Sequence, residues 1–213
     1  MNPHSITAEF EKSICDYTDA PYCVAVDNAS NALSMCLIYL NVEGKEITIP
    51  SHTYPSVPCE IILAGGSVNF EPSPEYLTGE YQLKPLPVWD SALRFTAGMY
   101  RKGQFQCLSF TGQWKALKLL KAGAILTDNH AAYLWFKRYR FSGRRECSYH
   151  DDYFDTLGKN YYLHPIFATM GLQMIQAFYN HDGTRRDMPD LSLPYPDLSK
   201  FAIYDKNNKT PRD

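Results

Sequence analysis

Short apolar segments that alternate with helical periodicity are the feature that most constrains this chain. The segments are residues 22–27, 46–50, 67–71, 87–90, 106–110 and 123–128. Apolar residues at successive positions indicate strands that are covered on both faces. Between the first two segments, Leu33, Cys36, Leu37 and Leu40 repeat with the spacing of a helix face. The sequence therefore predicts a three-layer α/β fold, with a mostly parallel sheet and helices on both faces.

Further helices are predicted over residues 7–17, 55–64, 129–141 and 165–178. Thr7 is expected to cap the first of them. The last is expected to face the core with Phe167, Met170, Met174 and Phe178. The Pro-rich stretch 72–87 is predicted to be irregular.

No linker of biased composition divides the chain, so residues 1–180 are predicted to form one α/β domain. Residues 181–213 are expected to be an extended tail and not a separate domain. They contain Pro189, Pro194, Pro196 and Pro211.

Composition and charge disfavour several classes of function. The net charge of −2 offers no broad attraction for nucleic acid. The basic run 138–145 is interpreted as a solvated helix end, with an anion contact as the alternative.

The N-terminus lacks a signal-peptide pattern, and no apolar stretch approaches the roughly 18 residues of a membrane-spanning helix. We therefore expect a cytoplasmic protein without a membrane or nucleic-acid partner.

The cysteine pattern favours free thiols. The six cysteines form no CxxC pair, and several lie within apolar runs. This pattern suits reduced thiols in a cytosolic protein better than a disulfide framework or a zinc site. No metal is therefore expected.

Polar residues that follow the predicted strands are the candidates for chemistry, because ligands of such folds bind at the carboxyl ends of strands. The first strand leads through Asp27 and Asn28 into Ala29 and Ser30, at the start of a helix. A hydroxyl and backbone N–H groups at a helix N-terminus suit a phosphate, and an ordinary helix cap is the alternative. After the second strand, Tyr54 is expected either to stack on a flat ring or simply to pack.

Two ionisable residues follow later strands. Asp90 ends the fourth strand, where a carboxylate needs a cationic partner such as a protonated pyridine nitrogen; a helix N-cap or a structural ion pair is the alternative. Lys115 follows the strand that ends near Ser109. A lysine amine of depressed pKa attacks aldehydes to form a Schiff base, although Lys118 and Lys121 lie nearby and a surface lysine is the alternative. A phosphate cradle, a stacking ring, an acid and an amine together suit pyridoxal 5′-phosphate (PLP).

The order of these residues resembles the DegT-type aminotransferases, which are PLP-dependent enzymes of fold type I that aminate keto sugars on nucleotide carriers. The resemblance covers about residues 8–178. It rests on the segments YCVAVDNASNALSMCLIYL, ITIPSHTYPSVPCEIILAGGSVNFE, VWDSALRFTAG, CLSFTGQWKALKLLKAGAILTDN and LGKNYYLHPIFATMGLQMI. Matching AGAILTD with the family's corresponding strand places Lys115 at the Schiff-base lysine.

The resemblance implies a cofactor role for several of these residues. Ala29 and Ser30 stand where the family binds the cofactor phosphate. Tyr54 covers the cofactor ring, Asp90 holds its pyridine nitrogen, and Ala92 lies near the ring. Ser109 is assigned to the cofactor as well, with one residue more before the lysine than in the family.

The last matched segment implies contacts beyond the cofactor. Asn160 matches an asparagine that reaches the cofactor of a neighbouring subunit, which implies a homodimer with its active site at the subunit interface. Tyr162 and His164 replace family residues and are assigned to the substrate. The family's small C-terminal domain has no match in this sequence, so a shortened member is expected.

The resulting hypothesis is a PLP-dependent transfer of an amino group from a small-molecule donor such as glutamate. The expected acceptor is a keto group, on a nucleotide-linked sugar. A first alternative is a catalytically impaired relative that acts as a regulatory or structural partner. A second is a metal or hydrolytic site built from Cys147, His150, Asp151 and Asp152.

Overall fold

A computed structural model describes residues 4–205. Its helices are α1 (Ser5–Thr18), α2 (Ala29–Tyr39), α3 (Ser56–Leu63), α4 (His130–Tyr139) and α5 (Pro165–Ile175). Its strands are β1 (Tyr22–Val26), β2 (Glu46–Pro50), β3 (Ser67–Glu71), β4 (Tyr76–Thr78), β5 (Tyr81–Gln82), β6 (Val88–Asp90), β7 (Phe105–Ser109), β8 (Gly123–Thr127) and β9 (Ser192–Pro194). The part of the predicted tail from residue 206 to 213 lies outside the described residues.

The central sheet has the order β1-β8-β7-β6-β5. Only β6 and β7 pair in parallel within it, while β2 and β3 form a separate parallel pair. Two backbone hydrogen bonds of 2.8 and 3.0 Å join Thr48 of β2 to Lys84, just after β5, and thereby continue the sheet. Because that bridge is antiparallel, β1, β2, β3, β6 and β7 all run in one direction, against β5 and β8. The predicted α/β class is confirmed, with a sheet that is mostly parallel by strand direction and mixed by pairing.

Helices cover both faces of the sheet, as predicted. Along β1, Val24 and Val26 enter a core that includes α2 and α4, while Cys23 and Ala25 enter a second core that includes α1 and α5. This alternation is the period-2 pattern of a strand with two buried faces.

The structure corrects the predicted N-cap of α1 and the predicted inner face of α5. Thr7 is not the cap of α1, because the helix begins at Ser5 and Thr7 lies buried within it. On α5, Ala168, Gly171 and Ile175 face inward, whereas Met170 and Met174 are each 37% exposed. Part of this inner face is occupied by the small residues Ala168 and Gly171, because α1 packs very close to it. A Cβ added to Gly171 would lie 2.4 Å from Cε2 of Phe10.

The stretch 72–87 is not irregular throughout, since it contains β4 and β5. β4 pairs with β9, so Leu77 lies opposite Leu193, and β5 pairs with β6. The partner of β4 is more than a hundred residues away in sequence, which explains why no local pattern indicates this strand.

The basic run 138–145 is neither a solvated helix end nor an anion site. Arg140 is fully buried and forms ion pairs with Glu11 and Glu146. Arg138 lies 2.8 Å from Asp155, and Arg144 and Arg145 both bind Asp152. The carboxylates of the chain itself therefore occupy these arginines.

All six cysteines are free. Cys147 is exposed, while Cys36 and Cys107 are buried.

Within residues 4–205, every helix is too short or too polar to cross a membrane.

Candidate active site

The carboxyl ends of four strands of like direction meet at one cavity of about 300 Å³. β1, β2, β6 and β7 each deliver the residues that directly follow them, as expected for an α/β sheet. The lining residues are Asn28, Ala29, Ser30, Leu33, Tyr54, Ser56, Val57, Asp90, Ala92, Ser109, Thr111, Lys115, Leu193 and Tyr195. All the predicted cofactor residues except Asn160 are therefore brought together.

The N-terminus of α2 forms one end of the cavity. Asn28 caps this helix, because its side chain accepts a 2.8 Å hydrogen bond from the backbone N–H of Asn31. Ser30 Oγ lies 2.6 Å from Ser56 Oγ, at the start of α3, so two hydroxyls stand beside the helix end. The cap and the candidate phosphate site thus occur together, and the partial positive charge of the helix end suits an anion here.

Gly123 allows the loop before α2 to lie against β8. A Cβ at this position would be 2.6 Å from the backbone carbonyl carbon of Asn28. Any larger residue would push the loop away from the sheet and change the position of the helix end.

Asp90 also lines the cavity and is buried. Its Oδ1 accepts a 3.0 Å hydrogen bond from the backbone N–H of Ala92, and its Oδ2 accepts a 3.0 Å bond from the Tyr81 hydroxyl. That hydroxyl lies 2.6 Å from Thr53 Oγ1, which fixes the tyrosine. Burial raises the pKa of Asp90, although both hydrogen bonds and the nearby Lys115 oppose the rise. A cationic ligand in the cavity would therefore favour the ionised carboxylate.

Lys115 is partly buried, and its Nζ donates a 2.7 Å hydrogen bond to the backbone carbonyl of Ala92. Burial lowers the pKa of this amine, against the opposing charge of Asp90. Lys121 points elsewhere, since its Nζ lies 3.1 Å from an oxygen of Asp27. Of the three neighbouring lysines, only Lys115 lines the cavity that contains Asp90.

Tyr54 lies at the rim of the cavity and is 57% exposed. Its ring centroid is 6.3 Å from that of Tyr195, in an edge-to-face arrangement. Tyr54 is therefore not a core residue, and more than half of its surface is exposed beside the cavity.

Three predicted residues do not line this cavity. The Tyr162 hydroxyl lies 3.0 Å from Nδ1 of His4, and its ring packs beneath the Arg140 guanidinium at 4.7 Å. His164 caps α5 by accepting a 3.3 Å hydrogen bond from the N–H of Ile166. Both side chains thus have contacts within the chain, and their assignment to the substrate stays a prediction.

Asn160 is exposed and pairs with Phe141 through the backbone. Its expected contact involves a second subunit, so the assignment stays a prediction.

Several residues of the site were absent from the sequence prediction. Ser56 and Thr111 carry a detectable signal, because each is a hydroxyl residue shortly after a predicted strand. Leu193 and Tyr195 carry no local signal, since they reach the cavity only through the pairing of β9 with β4.

The alternative site at residues 147–152 has a structural explanation. Asp152 accepts hydrogen bonds from the backbone N–H of Arg145 and from the Arg144 side chain. Within residues 4–205, no group of three or more His, Cys, Asp or Glu residues is arranged to hold a metal ion.

Comparisons with known proteins agree with the geometry. Residues 4–72 match the model of the DegT/DnrJ/EryC1/StrS aminotransferase family. The expected resemblance is confirmed. No curated protein matches the chain.

Solved structures extend the similarity in fold over most of the chain. PseC of Helicobacter pylori, an aminotransferase of pseudoaminic acid biosynthesis, has 13% identity and a TM-score of 0.64, over 80% of this chain and 57% of that one. DesV of S. venezuelae, solved with a ketimine intermediate, has 18% identity and a TM-score of 0.63, over 81% and 57%. NtdA of Bacillus subtilis, solved with bound cofactor PMP, has 18% identity and a TM-score of 0.67, over 80% and 48%. The chain thus spans about half the length of the structures it matches.

Proposed function

We propose that this protein binds PLP at Lys115 and transfers amino groups. The observation that carries the proposal is the meeting of an amine, a buried carboxylate and a helix N-terminus in one cavity. Its volume of about 300 Å³ lies at the lower end of the range for small-molecule sites, roughly 300–1,000 Å³.

The described residues fit the cofactor at both ends. Backbone N–H groups at the start of α2, with the hydroxyls of Ser30 and Ser56, would hold the phosphate. Asp90 would accept a hydrogen bond from the protonated ring nitrogen, which compensates the cost of its burial. Tyr54 and Ala92 would lie beside the ring, and Lys115 would hold the aldehyde end.

Bound PLP supplies an aldehyde for covalent capture of amines and a ring that withdraws electron density. Lys115 then acts as the base and acid of the site, because Nζ takes and returns a proton at the reacting carbon. The lowered pKa of this amine increases its neutral fraction near pH 7, and the neutral form is the one that accepts a proton. The Ala92 carbonyl orients Nζ toward the cavity.

The finer parts of the proposal rest on the resemblance. The amino donor is glutamate or a similar small molecule, and the acceptor is a keto sugar carried on a nucleotide. A homodimer would place Asn160 of a second copy at the cavity. The exposed side chains Ile166, Met170 and Met174 lie on one face of α5, which supports an interface near that segment.

Borohydride trapping tests the proposal directly. Purified protein mixed with PLP should turn yellow, and reduction should fix the cofactor to the peptide that contains Lys115. Lys115→Ala should abolish the fixed adduct, whereas the matched variants Lys118→Ala and Lys121→Ala should retain it. Protein that stays colourless, or an adduct on another lysine, would contradict the assignment.

A second measurement separates the enzyme from an impaired relative. Glutamate added to the loaded protein should convert the cofactor to its amino form within a single turnover, and a keto sugar nucleotide should reverse the change. PLP fixed at Lys115 without conversion by any amino donor would favour the regulatory or structural alternative.

A further inference from the structure

A segment near the described C-terminal end crosses the edge of the sheet where the cavity lies. Residues 188–198, here called the strap, begin with a 2.8 Å hydrogen bond from the Met188 N–H to Thr96 Oγ1. Near the other end, the Leu198 N–H donates a 2.8 Å bond to the carbonyl of Ser51, just after β2. The strap therefore connects the carboxyl ends of β6 and β2, above the crevice between them.

Backbone bonds hold the strap along its length. The Leu191 N–H donates to the Leu93 carbonyl at 2.8 Å, and the Leu191 carbonyl accepts from the Gly79 N–H at 3.0 Å. β9 then pairs with β4 over three residues, and the Tyr195 N–H donates to the Glu75 carbonyl at 3.0 Å. Such continuous pairing fixes the register of the strap, and so fixes which side chains face the cavity.

Side chains add two constraints at Asp190. Arg94 Nη1 lies 2.8 Å from Asp190 Oδ2, and both groups are mostly covered. Gly79 lies beneath this carboxylate with a positive φ of 68°, and a Cβ there would be 2.5 Å from Asp190 Oδ2. Only glycine at this position permits both the turn and the close approach of the strap.

The strap lines two cavities that meet at Lys115. Leu193 and Tyr195 line the cavity that contains Asp90. Met188, Pro189 and Leu191 line a second cavity of about 210 Å³, whose other walls include Trp114 and Phe178. Ala92, Ser109 and Lys115 are common to both cavities, so the amine lies at their junction with the strap on both sides.

We propose that the strap is an intrachain wall of the active site, and that Leu193 and Tyr195 select by size the molecules that reach the amine of Lys115. The identity of those molecules as amino donors and keto acceptors rests on the proposed function. The selection itself follows from the position of two half-buried apolar side chains beside a reactive amine, on a segment anchored at both ends. A bulky acceptor that enters the cavity containing Asp90 meets these side chains beside the amine.

Reductive labelling with aldehydes of two sizes tests the selection without added PLP. The Lys115 amine condenses with the aldehyde and releases water, and cyanoborohydride then supplies the hydride that fixes the adduct. Acetaldehyde and 1-naphthaldehyde serve as the small and large probes. Peptide mass spectrometry gives the ratio of large to small adduct at Lys115, with exposed Lys102 as the internal reference in the same sample.

In the wild-type protein, the ratio at Lys115 should be well below that at Lys102. The double variant Leu193→Ala, Tyr195→Ala should raise this ratio about five-fold or more. A five-fold change corresponds to roughly 1 kcal/mol of free energy by which the two side chains hinder the large aldehyde. Tyr195→Phe keeps the ring and should retain the wild-type ratio. Tyr76→Ala removes an exposed tyrosine of β4 outside the cavity, and should also leave the ratio unchanged.

Each outcome is decisive. Equal ratios in the wild type and the double variant would overturn the strap proposal, as would a Lys115 that no aldehyde labels in either protein. A rise in the ratio for Tyr76→Ala as large as that for the double variant would show general loosening and would overturn it too. If acetaldehyde labels Lys115 as expected and PLP is never fixed there, the proposed function fails while the size selection stands.

Discussion

At the scale of single residues, the site depends on two groups whose surroundings oppose their usual charge. Burial raises the pKa of Asp90 and lowers that of Lys115, while the attraction between the two charges opposes both shifts. Such paired perturbations in a cavity are typical of functional sites. The amine that attacks carbonyl groups is the neutral one, so the direction of the Lys115 shift favours reaction.

The pH dependence of Lys115 labelling follows from that shift. Only the deprotonated amine reacts, and a pKa below the ordinary lysine value keeps more of it deprotonated as the pH falls. The pH at half-maximal acetaldehyde labelling should therefore be lower for Lys115 than for exposed Lys102 in the same protein.

Two matched variants extend this measurement. Asp90→Asn removes the charge that opposes the shift and should move the Lys115 profile to still lower pH. Tyr81→Phe leaves the Asp90 charge in place and should shift the Lys115 labelling profile less. Coincident profiles for Lys115 and Lys102 in the wild type would contradict the stated effect of burial.

The residues of the site differ in how far the sequence determines them. Ala29, Ser30, Tyr54, Asp90 and Lys115 follow predicted strands, and parallel strands bring their carboxyl ends to the same edge. Their meeting was therefore predictable. The contacts of Tyr162 with His4 and of His164 with the start of α5 could not be predicted, because they depend on packing that no local pattern indicates.

At the scale of elements, α1 and α5 pack closely against each other. Gly171 lies on the inner face of α5 against the ring of Phe10, which is fully buried. The sequence predicted both helices and part of the inner face, since Phe167 and Phe178 join the core while Met170 and Met174 do not. The reason is that the apolar period through Met170 and Met174 is as regular as that of the residues which do face inward.

Gly171→Ala should destabilise the protein. The added methyl group would meet Phe10 at 2.4 Å, and overpacking of this kind costs about 1–3 kcal/mol even though alanine favours the helix. Gln173→Ala on the exposed side of α5 serves as the control and should change stability little. Urea unfolding followed by circular dichroism measures both, and equal stability of Gly171→Ala and the wild type would contradict the close packing.

At the scale of the whole molecule, the fold is a sheet covered by two cores with the site at one edge. A ligand that binds this edge only in the folded state stabilises the whole fold by mass action. PLP at about 100 times its Kd adds roughly 2.7 kcal/mol, which corresponds to a rise in Tm of about 5–10 °C for a chain of this size.

Thermal unfolding with and without PLP measures this rise. Lys115→Ala should lose most of it, because the proposed covalent anchor is absent, whereas Lys121→Ala should keep it. A rise of equal size in Lys115→Ala would indicate binding elsewhere on the molecule.

The order of the strands could be predicted only in part. Alternating strands and helices fix the α/β class, and they fix which ends of the strands carry the site. The antiparallel direction of β8 and the pairing of β4 with β9 depend on partners distant in sequence, so they follow only from the structure.

The position of the strap has a consequence for biosynthesis. A ribosome releases the chain from its N-terminus, so α2, β2, β6 and Lys115 all leave the exit tunnel well before Tyr195 does. Until then the cavity lacks one wall, and Lys115 is uncovered on that side. On the proposed size selection, a nascent chain is open to larger aldehydes than the folded chain admits, until residues 188–198 have folded back.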